Sequence, residues 1–214
     1  QMRYYIADCH FFHEALNREM DHRGFASVEE MNEYMIKRWN EKVRNRDEVV
    51  ILGDLSMGNA EQTNALLDRL QGKLFLIVGN HDHRYLRSKT FHKERFGWIY
   101  PYAELHDDGR KVVLSHYPIA CYNGQYLKNK KGEPRTYMLY GHVHDSHDER
   151  LIEQYQQMVE KTRIPDRDGG TQSLSSHMIN CFCMYSDYQP LSLDEWIALT
   201  KQRLIRCQNV EDSL

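Results

Sequence analysis

Asp8-Cys9-His10, Gly53-Asp54, Gly79-Asn80-His81-Asp82, Ser115-His116 and Gly141-His142-Val143-His144 place carboxylate, amide and imidazole donors in five short segments of the chain. Most of these segments directly follow an apolar run: Tyr4-Tyr5-Ile6-Ala7, Val49-Val50-Ile51-Leu52, Leu74-Phe75-Leu76-Ile77-Val78, Val112-Val113-Leu114 and Tyr137-Met138-Leu139-Tyr140. Short apolar runs that end in Gly and polar residues have the pattern of buried strands. In open α/β sheets, ligands bind just beyond the carboxyl ends of the strands. The chain therefore delivers Asp8, His10, Asp54, Asn80, His116, His142 and His144 to one rim, which reads as a site for two metal ions. A lone histidine at a strand end is ordinarily a hydrogen-bonded polar residue. Five such segments, all carrying donors of suitable type, point instead to metal. Imidazole combined with carboxylate and amide oxygen suits two divalent or trivalent transition-metal ions, Mn, Fe, Zn or Ni, and requires no thiolate.

The elements that must position these donors follow from periodicity. A first strand spans 3–7. A helix over 26–45 starts at Ser27, with Glu30 in capping-box position, and sets Met31, Tyr34, Met35, Arg38, Trp39 and Lys42 on one face. A strand at 49–53, a helix at 60–71 with Leu66, Leu67 and Leu70 inward, and a strand at 73–78 come next. This alternation implies parallel pairing through helical crossovers. Beyond it, 98–106 and 110–115 are joined through His106-Asp107-Asp108-Gly109, an Asp-Gly hairpin signal. A polar loop from Asn123 to Arg135, a strand at 136–140, a helix at 148–162, a loop at 164–176, a last strand at 177–185 and a helix at 192–206 complete the chain.

Length and composition narrow the class. The 214 residues suit one domain, 1–214, able to bury a substantial core. Hydrophobic content of 41% and charged content of 28% fit a globular protein. A formal net charge of −3 advertises no nucleic-acid partner. No apolar stretch approaches the ~20 residues of a membrane span, and no signal peptide is visible. Five Cys without regular spacing argue against a disulfide framework, so a cytoplasmic setting is expected. Cys9 is expected to point into the core, away from its two flanking donors, and Cys181 and Cys183 to share a core face of the last strand. His13 and His83 are expected near the site, contacting either substrate or a supporting carboxylate. Lys128-Asn129-Lys130-Lys131 reads as a solvated loop. The chain lacks a Gly-x-Ser-x-Gly elbow, a phosphate-binding Gly-x-x-x-x-Gly-Lys-Ser/Thr loop and a Gly-x-Gly-x-x-Gly fingerprint.

The ordered series D-x-H, G-D, G-N-H-D, H, G-H-x-H, over residues 8–144, resembles the calcineurin-like metallophosphoesterases. Asp8-Cys9-His10-Phe11-Phe12-His13 and the tail Tyr188-Gln189-Pro190-Leu191-Ser192-Leu193-Asp194-Glu195 are similar to the small stand-alone bacterial members. The resemblance implies a four-layer α/β/β/α sandwich of two packed mixed sheets flanked by helices. It assigns Asp8, His10, Asp54 and His144 to one metal, and Asp54, Asn80, His116 and His142 to the other, with Asp54 shared. It implies a hydroxide bridging the metals as nucleophile, and His81 as the catalytic residue that stabilises phosphorane charge or protonates the leaving oxygen. Asp82 is expected to orient the His81 imidazole. Met57 and His83 depart from residues common in the family, Asp and Arg, and bear on substrate choice rather than metal binding.

The expected activity is hydrolysis of a small phosphomono- or phosphodiester, with neither nucleic acid nor membrane as partner. A nuclease is the alternative within enzymes, and a catalytically silent interaction scaffold the alternative outside them. Charge counts against the nuclease, and the full donor set counts against the scaffold.

Overall fold

The structure, a computed structural model, describes the backbone of residues 1–211 and the side chains of residues 1–209. In chain order the elements are β1 (Arg3–Ile6), α1 (Glu14–Arg18), α2 (Val28–Lys42), β2 (Glu48–Ile51), α3 (Ala60–Arg69), β3 (Lys73–Ile77), α4 (His83–Leu86), β4 (Phe96–Tyr100), β5 (Tyr102–Asp107), β6 (Arg110–Ser115), β7 (Thr136–Tyr140), α5 (His147–Lys161), β8 (Arg163–Pro165), β9 (Thr171–Ser173), β10 (Met178–Asn180) and α6 (Leu193–Glu211).

Two four-stranded sheets form the centre, with orders β1-β2-β3-β4 and β10-β7-β6-β5. The first pairs parallel throughout, as strand–helix alternation requires. Only the second is mixed, because β5 and β6 pair antiparallel while β6, β7 and β10 pair parallel. The hairpin turns at Asp108-Gly109, where both residues have positive φ (48° and 76°), as a two-residue turn matching strand twist demands. Tyr5, Val50, Leu52, Ile77, Val112, Leu114, Leu139 and Ile179 fill the layer between the sheets. The other face of the first sheet carries Tyr4, Val49, Ile51, Leu74 and Leu76, covered by Met31, Met35 and Trp39 of α2 and Leu66 and Leu67 of α3. On the outer face of the second sheet, Val113, Met138, Tyr140 and Met178 meet Ile152 and Tyr155 of α5. Each fully buried side chain of this size contributes roughly 1.5–3 kcal/mol of transfer free energy, so the layers define the fold. Among the described residues, no helix is long and apolar enough to cross a membrane.

Local chemistry sets the helix starts. The Ser27 hydroxyl accepts from the Glu30 amide (3.1 Å), but the Glu30 carboxylate reaches back to the Ala26 amide (2.6 Å) rather than closing the box on Ser27. A complete reciprocal box sits instead at Asn59 and Gln62, before α3.

The sequence reading differs from the structure in the second half. Residues 164–176, expected as loop, contain the β8–β9 hairpin. The last strand ends at Asn180, and Cys183–Ser186 form a single 3-10 turn. Cys181 and Cys183 consequently do not share a face. Cys181 lies between the sheets, whereas Cys183 packs beside Cys9 in the cluster under α2.

Candidate metal centre

Every candidate ligand lies just past the carboxyl end of a strand: Asp8 and His10 after β1, Asp54 after β2, Asn80 after β3, His116 after β6, and His142 and His144 after β7. β1 and β10 close the two sheets together here, through Ala7 N–H to Cys181 O (2.8 Å) and Cys183 N–H to Ala7 O (3.0 Å). The backbone turns abruptly to aim the donors. Asp8, His10, Asp54, His142 and His144 all have φ between 49° and 72°. Positive φ is uncommon outside glycine, and its concentration at donors marks strain held for a purpose. Glycine supplies clearance beside them. A Cβ on Gly79 would stand 2.2 Å from Asp54 Oδ1, and one on Gly141 2.6 Å from Asp8 Oδ2.

The donors gather in two groups, Asp8 with His10 and His144, and Asp54 with His116 and His142, each within 4.8 Å of one another. Asp54 joins them: its Oδ2 lies 3.4 Å from His10 Nε2 and 3.3 Å from His116 Nε2. Asn80 Oδ1 stands 3.0 Å from His116 Nε2 and 3.1 Å from His142 Nδ1. All seven side chains predicted as ligands thus converge. Burial opposes ionisation of Asp54, but the imidazoles of His10 and His116 hold it well below the usual carboxylate range. Burial likewise opposes charge on His116 and His144, yet the carboxylates facing them raise these groups to about 9 and about 10.

Whether these residues fit cations is answered by their unmet bonds. His10 Nε2 is buried with no hydrogen-bond partner among the described residues, although it faces Asp8 Oδ1 (3.9 Å) and Asp54 Oδ2 (3.4 Å). A buried, unpartnered imidazole nitrogen beside two carboxylates is costly unless a cation takes its lone pair. The donor set is the N/O mixture transition metals accept.

His81 projects from the mouth. Its side chain is exposed, with its ring centroid 5.5 Å from that of His10, while its backbone N–H donates to Asp54 Oδ1 (2.8 Å). His13 stands beside both, its ring centroid 6.4 Å from that of His81 and its Nδ1 3.2 Å from His10 Nδ1, and burial with the neighbouring imidazoles lowers it to about 4. His83 is exposed at the start of α4.

Asp82 does not orient the His81 ring as expected. It is fully buried, and its carboxylate accepts from the backbone N–H groups of Asp54 (2.8 Å), Leu55 (3.0 Å) and Gly79 (2.7 Å) and from the Tyr85 hydroxyl (2.6 Å). These bonds tie the loop after β2 to the loop after β3, so Asp82 locks the backbone that carries Asp54 and Asn80. An amide cannot accept from four donors, and a buried charged hydrogen bond is worth about 1.5–3 kcal/mol. Asp82→Asn is expected to destabilise the chain by roughly 3 kcal/mol, lowering the unfolding midpoint by about 6–12 °C. A variant with wild-type melting and reduced turnover would restore the orienting role.

The sequence reading missed the residues that hold these donors from behind. Asp21 Oδ1 accepts from His144 Nδ1 (2.7 Å), and Arg23, whose side chain is fully buried, binds Asp21 (3.0 Å) and the carbonyls of Asp8 (2.9 Å) and Cys9 (2.6 Å). Asn180 Nδ2 donates to the His144 carbonyl (2.9 Å), and Phe182 stacks on its ring at 4.6 Å. No local pattern marks Asp21 and Arg23, because charged residues in an irregular segment read as solvated.

A sequence profile described as calcineurin-like phosphoesterase matches residues 4–196. The chain belongs to that family, which in general terms makes it a metal-dependent phosphoesterase, and the two donor groups suit the family's dinuclear metal requirement. It is 31% identical over 209 residues to an uncharacterized protein of Methanocaldococcus jannaschii, covering 96% of each chain. It is 28% identical to the gene 66 protein of Mycobacterium phage L5 over 167 residues, 66% of this chain and 76% of that protein. The crystal structure of an Aquifex aeolicus protein of unknown function superposes with a TM-score of 0.59 at 23% identity, over 91% of this chain and 96% of that one, which bears on the fold alone.

Proposed function

We propose that this chain hydrolyses a small phosphomono- or phosphodiester at two metal ions, held by Asp8, His10, Asp54 and His144 and by Asp54, Asn80, His116 and His142. The observation that carries this reading is the Asp54 carboxylate standing between His10 Nε2 and His116 Nε2 at 3.4 and 3.3 Å. One anionic oxygen shared between two donor groups is what a closely spaced cation pair needs. When bound, such a pair supplies an activated water at neutral pH and neutralises the phosphoryl oxygens of an in-line displacement. The protein's own part is to fix the donors, through positive-φ backbone and the Asp82 lock, and to present His81 at the open side. There its imidazole can reach a leaving oxygen or the charge that develops on phosphorus. The net charge of −3 favours a small substrate over a nucleic-acid backbone.

The test is turnover of p-nitrophenyl phosphate and bis-p-nitrophenyl phosphate with added Mn, and again after a strong chelator. The expected result is hydrolysis of at least one ester, lowered by chelator at least ~100-fold and restored by Mn, which corresponds to about 2.7 kcal/mol of transition-state stabilisation. The ratio of the two rates separates monoesterase from diesterase. Turnover indifferent to chelator would overturn the proposal, and a chain with neither bound metal nor turnover would favour the scaffold.

A further inference from the structure

Behind His144 the segment between α1 and α2 folds inward. Asn17 anchors it with a pair of bonds to Phe25, Nδ2 to the carbonyl (2.5 Å) and Oδ1 from the amide (2.7 Å). This brings Asp21 and Arg23 against the metal-facing loops, with side chains 4% and 0% exposed. An ionised Asp accepts hydrogen bonds and donates none, so the 2.7 Å contact places the His144 proton on Nδ1. In the neutral imidazole that a metal ion would take, the lone pair is then on Nε2, which faces Asp8 Oδ1 (3.6 Å) inside the donor group formed with His10.

Arg23 fixes that arrangement from the other side. Its Nε and Nη2 grip the Asp21 carboxylate, and Nη1 and Nη2 also bind the carbonyls of Cys9 and Asp8. Asp8 has φ 58°, a backbone geometry that needs outside support. The guanidinium is further enclosed by Met35 Sδ at 3.7 Å and the Tyr188 ring at 5.6 Å. It is always charged and, among the described residues, hydrogen-bonds no second carboxylate, so its charge is committed to Asp21. The other donor group is backed differently. Among the described residues, His116 Nδ1 bonds to the neutral carbonyl of Leu52 (2.7 Å) and to no carboxylate.

We infer that Asp21, locked by Arg23, is a positioning residue for the metal ion held by Asp8, His10 and His144, fixing the His144 tautomer and aim, and that it leaves the Asp54/His116/His142 group untouched. The inference rests on the metal binding proposed above and on no step of hydrolysis. Carboxylate partners of ligating histidines typically govern metal affinity by 10–100-fold.

The test is calorimetric titration of the metal-stripped full chain with Mn²⁺, for wild type, Asp21→Asn and Asp21→Ala, beside the unfolding midpoint of each metal-free protein. Asn keeps the shape and one acceptor but loses the charge, and Ala loses both. One of two binding events is expected to weaken by about 10–100-fold in Asp21→Asn and further in Asp21→Ala, while the other stays within about threefold. Both events unchanged in either folded variant would overturn the inference. So would both weakening equally with a fallen midpoint in Asp21→Asn, which is what a merely structural role predicts. A wild-type chain that takes up two equivalents but hydrolyses neither ester leaves Asp21's role standing and tells only against hydrolysis of simple esters. A wild-type chain that binds no Mn²⁺ removes both.

Discussion

Asp54→Asn is expected to empty both donor groups and to lower turnover by a factor on the order of 1,000 or more. Asp54 is 2% exposed, and Oδ2 stands between the two imidazoles that face each other across the site. Oδ1 is already committed to the His81 amide at 2.8 Å. In the amide variant the single carbonyl oxygen stays with that backbone donor, so the NH₂ group turns towards His10 and His116. The site loses the negative charge that two cations must share and gains a donor where they need an acceptor. A factor of 1,000 corresponds to about 4 kcal/mol, within the several kcal/mol that metal-ion charge stabilisation supplies. Metal content after gel filtration and initial rates on the two nitrophenyl esters check it together. Retention of two metals with near-normal turnover would show that Asp54 is not the shared ligand.

His81→Ala is expected to separate chemistry from metal binding. Its imidazole is exposed, stands 5.5 Å from the His10 ring, and is absent from both compact donor groups. The link from this residue to Asp54 runs through the backbone N–H, which alanine keeps. Both metals should stay, while turnover falls by about 100- to 10,000-fold, the usual range for loss of a positioned acid or base. The leaving group tells which role is lost. A deficit larger on an alkyl ester than on p-nitrophenyl phosphate identifies proton donation, since nitrophenolate leaves without help. An equal deficit on both identifies charge stabilisation. Metal content falling in step with rate would merge the two roles.

The site was legible where donor chemistry coincided with strand ends. Asp8, Asp54, Asn80 and His116 each follow an apolar run, and the structure sets all of them on the rim where parallel strands finish. The hairpin at Asp108-Gly109 was equally readable, because positive φ at two successive positions leaves few residue choices. What escaped was held by tertiary contact. Asp82 reads as a partner for its neighbour His81, yet its bonds go to amides more than twenty residues away, at Asp54 and Leu55, as well as to nearby Gly79. Arg23 is buried because the Asp8 and Cys9 carbonyls and the Tyr188 ring, all from other segments, enclose it beside its neighbour Asp21, a fact no local pattern encodes. Cys183 was misplaced because alternation was extended past Asn180, where the strand gives way to a turn and the Cys183 thiol reaches the Asp8 carbonyl at 3.2 Å.

The most direct test of the central claim is anomalous diffraction from crystals of the chain loaded with Mn. The account predicts two peaks about 3.5–4 Å apart with the Asp54 carboxylate between them, one beside Asp8, His10 and His144 and the other beside Asn80, His116 and His142. A single peak, or two peaks that do not share Asp54, would contradict it.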